Sequence, residues 1–164
     1  MFILRTERAE IAFVWARIGR VPPGSSLLPC TRGDRVAFHA LIVDDSSAVR
    51  AFVRASLEDA GFARVQEAET GFEALRLLAS NAFDVVIVDV NMPDINGLEL
   101  LAFMKKSPRQ QGARKILIST QVDGSDSKRG TKLGADAFLQ KPFEVDELRA
   151  LIRRLLGSAE EVSR

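Results

Sequence analysis

Polar residues of distinct chemistry stand at the ends of four short runs in this chain. Ala40 to Val43 ends on Asp44-Asp45-Ser46, Val85 to Val88 on Asp89, and Ile116 to Ile118 on Ser119-Thr120; Lys141 follows Ala135 to Gln140. Three carboxylates brought into one crevice repel, and their pKa values rise unless something positive balances them. A divalent cation is the natural balance. Ligation by carboxylates and a backbone carbonyl, all oxygen, suits Mg²⁺, which keeps several of its waters. Lys141 adds a mobile point charge. A carboxylate, a hard metal, an ammonium and a hydroxyl make a phosphoryl-transfer site, with the carboxylate attacking in line and the positive groups neutralising equatorial oxygens. Singly, each of these residues reads as a helix cap or a strand-end turn, places where Asp is common. Their joint placement at several strand ends does not.

The residues converge if the runs that carry them are parallel strands, because all then end on one edge of a sheet. The central run, DVVIVDVNMPDINGLEL over residues 84–100, is the clearest. Its unbroken β-branched stretch reads as a strand buried on both faces. Asp89 ends it, since an unpaired buried charge costs several kcal/mol. Open α/β folds bind ligands at that carboxyl edge. Gly97 then opens an amphipathic helix with Leu98, Leu101 and Met104 on its apolar face.

Four further strands and four further helices are predicted around it. Ala40 to Val43 is the first strand, and Val49, Phe52, Val53, Leu57 and Ala60 mark the first helix, stopped by Gly61. Val65 to Ala68 is the second strand. Thr70 and Glu73 form a capping box ahead of a helix whose core face is Phe72, Leu75, Leu78 and Ala79. Residues 116–120 are the fourth strand. Residues 125–133 are the fourth helix by position, although SDSKRGTKL with Gly130 at its middle is a poor helix sequence. Ala135 to Gln140 is the fifth strand, and Val145, Leu148, Leu151, Ile152, Leu155 and Leu156 mark the last helix. Alternation of this kind gives a doubly wound α/β fold: a five-stranded parallel sheet with right-handed crossovers and helices on both faces.

Composition fits such a domain. The 164 residues are 46% apolar and 27% charged, with a net charge of +1 that argues against nucleic acid or an anionic membrane as partner. Charge is uneven: residues 1–35 carry six Arg against Glu7, Glu10 and Asp34. A single cysteine, Cys30, rules out an internal disulfide and fits a reducing compartment. No stretch is long and apolar enough to span a bilayer. The run Ile11 to Ala16 is closed by Arg17 and preceded by Glu7 and Glu10, a poor signal-peptide core. Pro29 stands before Cys30 where a lipidation site wants a small residue. The chain is therefore expected to be cytoplasmic. Residues 1–35, rich in Pro, Gly and Ser over 19–35, are expected to be a poorly ordered extension, 36–157 the domain, and 158–164 a polar tail.

LIVDDS, VVIVDVNMPDINGLEL, ILIST and GADAFLQKPF resemble the receiver domain of two-component response regulators, over roughly residues 37–157. In order and length the chain is most similar to the CheY-like single-domain regulators. The resemblance implies a flavodoxin-like sheet of order 2-1-3-4-5. It implies that Asp89 is the phospho-acceptor for a histidine kinase or histidine phosphotransfer protein. Asp45, Asp89 and the backbone carbonyl of Asn91 would ligate Mg²⁺, with Asp44 helping through water. Counting back from Gly134 makes Ser119 the switch hydroxyl and leaves Thr120 to offer its backbone N–H to the phosphoryl group. Lys141 would pair with Asp89 or its phosphate, ahead of a cis bond to Pro142, and Phe138 would hold the aromatic switch position, where the family often has Tyr. Output would pass to a protein partner through the fourth helix, fifth strand and last helix. The implied role is a phospho-acceptor that assists its own phosphorylation and dephosphorylation rather than an enzyme. Two other readings compete: a phosphate-independent scaffold, and a Mg²⁺-dependent phosphohydrolase of the haloacid dehalogenase type. The second wants Asp-x-Asp-x-Thr on an early strand, and Asp89-Val90-Asn91-Met92-Pro93 does not supply it.

Overall fold

The computed structural model describes residues 38–120 and 125–157; the expected N-terminal extension, the loop 121–124 and the polar tail lie outside the described residues. Five strands form one sheet: β1 (His39–Val43), β2 (Arg64–Ala68), β3 (Val85–Asp89), β4 (Arg114–Ser119) and β5 (Ala137–Gln140). All pairings are parallel and the order is β2-β1-β3-β4-β5. The helices between and after them are α1 (Ser47–Asp59), α2 (Gly71–Ser80), α3 (Gly97–Lys106), α4 (Ser125–Lys132) and α5 (Val145–Gly157), with a 3₁₀ turn at Pro108–Gln110. This is the doubly wound parallel sheet that the sequence patterns call for, in the flavodoxin-like order that the resemblance implies.

Alternation along each strand splits the core in two. Ala40, Ile42, Val85, Ile87, Ile116 and Ile118 face α1 and α5, meeting Val53, Leu57, Leu148 and Ile152. Leu41, Val43, Val86, Val88 and Leu117 face the opposite layer, where Ala74 and Leu78 of α2 and Leu98, Leu101 and Met104 of α3 cover them. Each fully buried Leu or Ile stabilises the fold by roughly 1.5–3 kcal/mol relative to exposure. The two layers together hold the strand ends in register.

Two local expectations are corrected, both at α2. In α2 the buried positions are Gly71, Ala74 and Leu78, with Leu75 half-buried, whereas Phe72 is 69% exposed and Ala79 is exposed. Phe72 lies in the first turn of α2, and Ala79 sits on its outer face. At the same helix Thr70 caps Glu73 N–H at 3.1 Å, but the Glu73 carboxylate accepts from Glu69 N–H, one residue before the expected partner. A complete capping box forms instead at Asn96 and Glu99, ahead of α3. Phe52, one of the residues that mark the first helix, is 37% exposed and packs edge-on against Phe143 at 5.7 Å.

The helix expected by position at residues 125–133 forms as α4. Residues 125–132 are helical despite their poor propensity, and the reason is packing. Gly130 is buried, and a Cβ there would stand 2.5 Å from Phe138 Cζ and 2.6 Å from Leu117 Cδ1. What reads locally as a helix-weakening glycine is the seat on which α4 meets β4 and β5. Lys105 of α3 adds its ammonium to the Lys132 carbonyl at 2.8 Å, a cation at a helix C-terminus.

Candidate functional site at the carboxyl edge

Four strands deliver polar residues to one edge. Asp44 follows β1, Asp89 ends β3, Ser119 ends β4, and Lys141 follows β5. Sequence order reverses between β1 and β3, so the crevice opens at the switch point of the sheet. Backbone bonds fix the strand ends: Val90 N–H donates to Ile118 O at 2.8 Å, and Lys141 N–H to Ser119 O at 2.8 Å. Gly97 is obligatory beside them, because a Cβ would lie 2.3 Å from the Asp89 carbonyl oxygen. The start of α3 therefore rests directly on β3.

Asp44 and Asp89 are 1% and 4% exposed, and Asp45 is exposed at the mouth. One carboxylate oxygen of each lies within 4.8 Å of those of the other two. Lys141 Nζ stands 2.6 Å from Asp44 Oδ2 and 3.5 Å from Asp89 Oδ1, bridging the two buried acids. Burial pushes the Asp89 carboxyl above its ordinary range; Lys141 opposes that shift, Asp44 adds to it, and the Asn91 N–H, donating to the carboxylate, opposes it again. Three carboxylates against one bridging ammonium leave a charge deficit that a hard cation fits, and every donor is oxygen.

Ser119 is 7% exposed and Thr120 is exposed. Thr120 instead lines an apolar groove of 430 Å³ with Ala48, Val49, Phe52, Lys141, Pro142 and Phe143. Phe138 is half-buried on β5, in register with Leu117 and against Gly130. The Lys141–Pro142 bond is cis. Thus Asp44, Asp45, Asp89 and Lys141 are gathered around one point, Ser119 closes the neighbouring strand end, and Asn91 reaches Asp89 through its N–H. Phe138 stands one layer back, under α4.

Sequence reasoning missed Arg50. Its guanidinium donates to the Asp44 carbonyl at 2.7 Å and pairs with Glu67 at 3.2 Å, so it clamps the end of β1 to β2. The signal was available, since Arg50 lies four residues after Ser46, the residue that caps α1. That places it one helical turn from the crevice. Asp94, in the loop after β3, is engaged elsewhere: its carboxylate accepts from Phe72 N–H at the start of α2.

The fold and crevice together define a doubly wound α/β module with an acidic pocket at the switch point of its sheet. Comparison with known proteins gives the family. The model of the response regulator receiver domain matches residues 40–153, and the chain belongs to that family. It is 37% identical over 117 residues to the response regulator Rre1 of Synechocystis, covering 71% of this chain and 51% of that protein. The chain thus spans about half the length of that relative. It is 30% identical over 118 residues to a probable chemotaxis protein CheY of Rhizobium etli, covering 72% of this chain and 92% of that one. Among solved structures, chemotaxis response regulator CheY4 of Vibrio cholerae superposes with a TM-score of 0.69 at 32% identity, over 73% of this chain and 99% of that one. Receiver domains of this family are signalling phospho-acceptors rather than classical enzymes.

Proposed function

We propose that this chain is a phosphorylation-controlled binding module of the cytoplasm. It takes a phosphoryl group from a histidine kinase or histidine phosphotransfer protein onto Asp89 and signals to a protein partner through α4, β5 and α5. The observation that carries the reading is the buried Asp89 carboxylate, bridged through Lys141 to Asp44, with Asp45 at the mouth. A carboxylate oxygen of Asp89 attacks the phosphorus of the phosphohistidine. The P–O bond forms as the P–N bond breaks, and the histidine nitrogen keeps the electron pair. Asp45, Asp89 and the Asn91 carbonyl would hold Mg²⁺, with Asp44 acting through water. When bound, Mg²⁺ supplies charge neutralisation for the equatorial phosphoryl oxygens. Lys141 neutralises a further oxygen, the Thr120 N–H donates to another, and the Ser119 hydroxyl turns towards the acyl phosphate while Phe138 fills the space behind it.

Acetyl phosphate with Mg²⁺, read by phosphate-affinity electrophoresis, tests the assignment. The wild-type chain should shift, and Asp89→Asn should not, because an amide is a poor nucleophile. An Asp89→Asn band that shifts like wild type would remove Asp89 from the role. Signalling to a partner that is insensitive to this shift would favour a scaffold instead.

A further inference from the structure

The loop joining β3 to α3 is tied to the start of α2 across 22 residues of sequence. The Phe72 N–H donates to Asp94 Oδ2 at 3.1 Å, and the Ile95 and Gly71 N–H groups also favour the charged form of the same carboxylate. Beside these bonds Ile95 lies on Gly71: a Cβ at position 71 would stand 2.4 Å from Ile95 Cβ and 3.0 Å from the Ile95 carbonyl oxygen. The α2 helix has its own cap, since Thr70 serves the Glu73 N–H. Asp94 and Thr70 therefore divide the free N–H groups of the first turn, and Asp94 is held by α2 as much as it serves it. On the other side of the loop, the Gly97 N–H donates to Val90 O at 3.1 Å. Between these anchors lie Asn91, Met92 and Pro93. Asn91, three residues before Asp94, is the one whose N–H reaches the Asp89 carboxylate.

We propose that Asp94, seated against Gly71, is a positioning residue for the acceptor loop: it latches that loop to α2 and so fixes Asn91 beside Asp89. The inference rests on the phospho-acceptor reading, in which the Asn91 carbonyl completes the cation site. Groups that orient metal ligands from outside the coordination sphere typically change metal affinity 10–100-fold when removed. The acceptor atoms are what matter here, so an Asn at position 94, which keeps one acceptor oxygen, holds the loop where Ala releases it.

The test uses the full chain as wild type, Asp94→Ala, Asp94→Asn and Gly71→Ala, each checked for folding by circular dichroism. Calorimetric titration with Mg²⁺ should show a Kd raised on the order of tenfold in Asp94→Ala. Gly71→Ala should move the same way, because its methyl group pushes Ile95 off its seat. Asp94→Asn should stay near wild type. At saturating Mg²⁺ the maximal rate of labelling by acetyl phosphate should be retained in Asp94→Ala, since Asp89 and Lys141 are untouched; a general loss of folding would lower it. Metal-free amide hydrogen exchange should quicken at residues 71–72 and 91–95 in Asp94→Ala and not in Asp94→Asn. A folded Asp94→Ala with wild-type Mg²⁺ affinity and wild-type exchange over 91–95 overturns the latch. If the wild type itself neither binds Mg²⁺ nor takes label, the phospho-acceptor reading fails, and the metal-free exchange then decides the latch on its own.

Discussion

The two edges of the sheet carry the same residue types and use them in opposite ways. At the amino edge, Asp84 Oδ2 accepts from His39 N–H and Asp136 Oδ2 from Lys115 N–H, both at 2.8 Å. The buried Lys115 ammonium donates to the Ala113 carbonyl, and Gln110 Nε2 to the carbonyls of Leu78 and Asn81. There, side chains complete the backbone bonding of strand and helix ends. At the carboxyl edge, Asp44, Asp45 and Asp89 turn oxygens towards one another, with Lys141 between the two buried ones. Backbone N–H groups reach aspartates at both edges, Ser46 N–H donating to Asp44 Oδ1 at 2.8 Å included; what sets the carboxyl edge apart is that three carboxylates face one another there. Under the proposed function, the carboxylates that face one another would serve a cation and a phosphoryl group, whereas Asp84 and Asp136 serve the fold.

The comparison breaks most sharply at the acids themselves. Asp89→Asn should abolish labelling by acetyl phosphate while the protein stays folded, whereas Asp84→Asn should label at the wild-type rate. Equal loss in both variants would mean that labelling reports folding and not the crevice. Next in size, Asp84→Ala should lower stability by about 1–3 kcal/mol, because the His39 N–H loses its acceptor. Urea unfolding measures it, and labelling of the folded fraction should be unchanged.

A smaller effect separates the edges by pH. Burial, with Arg64 nearby, holds the His39 imidazole below 6.5, against the pull of the Ala82 carbonyl, Asp84 and Gln66. The unfolded chain therefore binds the proton more readily than the folded one in the window just under 6.5. Stability should fall as pH drops through that window and recover above it. Asp84 is held above 3.8 by burial, opposed by its bond from His39 N–H and by the His39 charge, and works the other way. Its folded form keeps the proton longer, which adds stability as pH falls towards 3.8. Urea midpoints followed from neutral to acid pH should show the first slope in wild type and a flatter one in His39→Gln. An unchanged slope would place the acid sensitivity elsewhere.

The smallest net effect is expected at Gly130. Helix propensity alone would make Gly130→Ala stabilising by about 1 kcal/mol. The new methyl group would meet the Phe138 ring, which must then move outward, and the two contributions should nearly cancel. In a Phe138→Ala background the clash with the ring is gone, and Gly130→Ala should become the more favourable substitution. A double-mutant cycle by urea unfolding reads the difference. Additivity would show that Gly130 and Phe138 do not contact one another in solution.

The order of elements, the parallel sheet and the crevice acids were legible because they depend on local signals. Unbroken apolar runs such as Val85 to Val88 end where a charge must leave the core, and parallel strands bring those ends to one edge whatever the details of packing. Asp44, Asp45, Asp89, Ser119 and Lys141 could be placed on that edge by counting alone. Only the tertiary structure decided what depends on a neighbour distant in sequence. Periodicity showed that α2 has an apolar arc but not which part of it meets the sheet, so Phe72 and Ala79 were placed inside and lie outside. Gly130 looks like a weak point until the Phe138 ring is set 2.5 Å from where its Cβ would be. Asp94 looks like a turn residue until α2 supplies the Phe72 N–H that its carboxylate accepts. For Gly130 and Asp94 the missing term is a close approach between residues 8 and 22 positions apart. The sequence of one segment carries its own period, whereas the contact belongs to both.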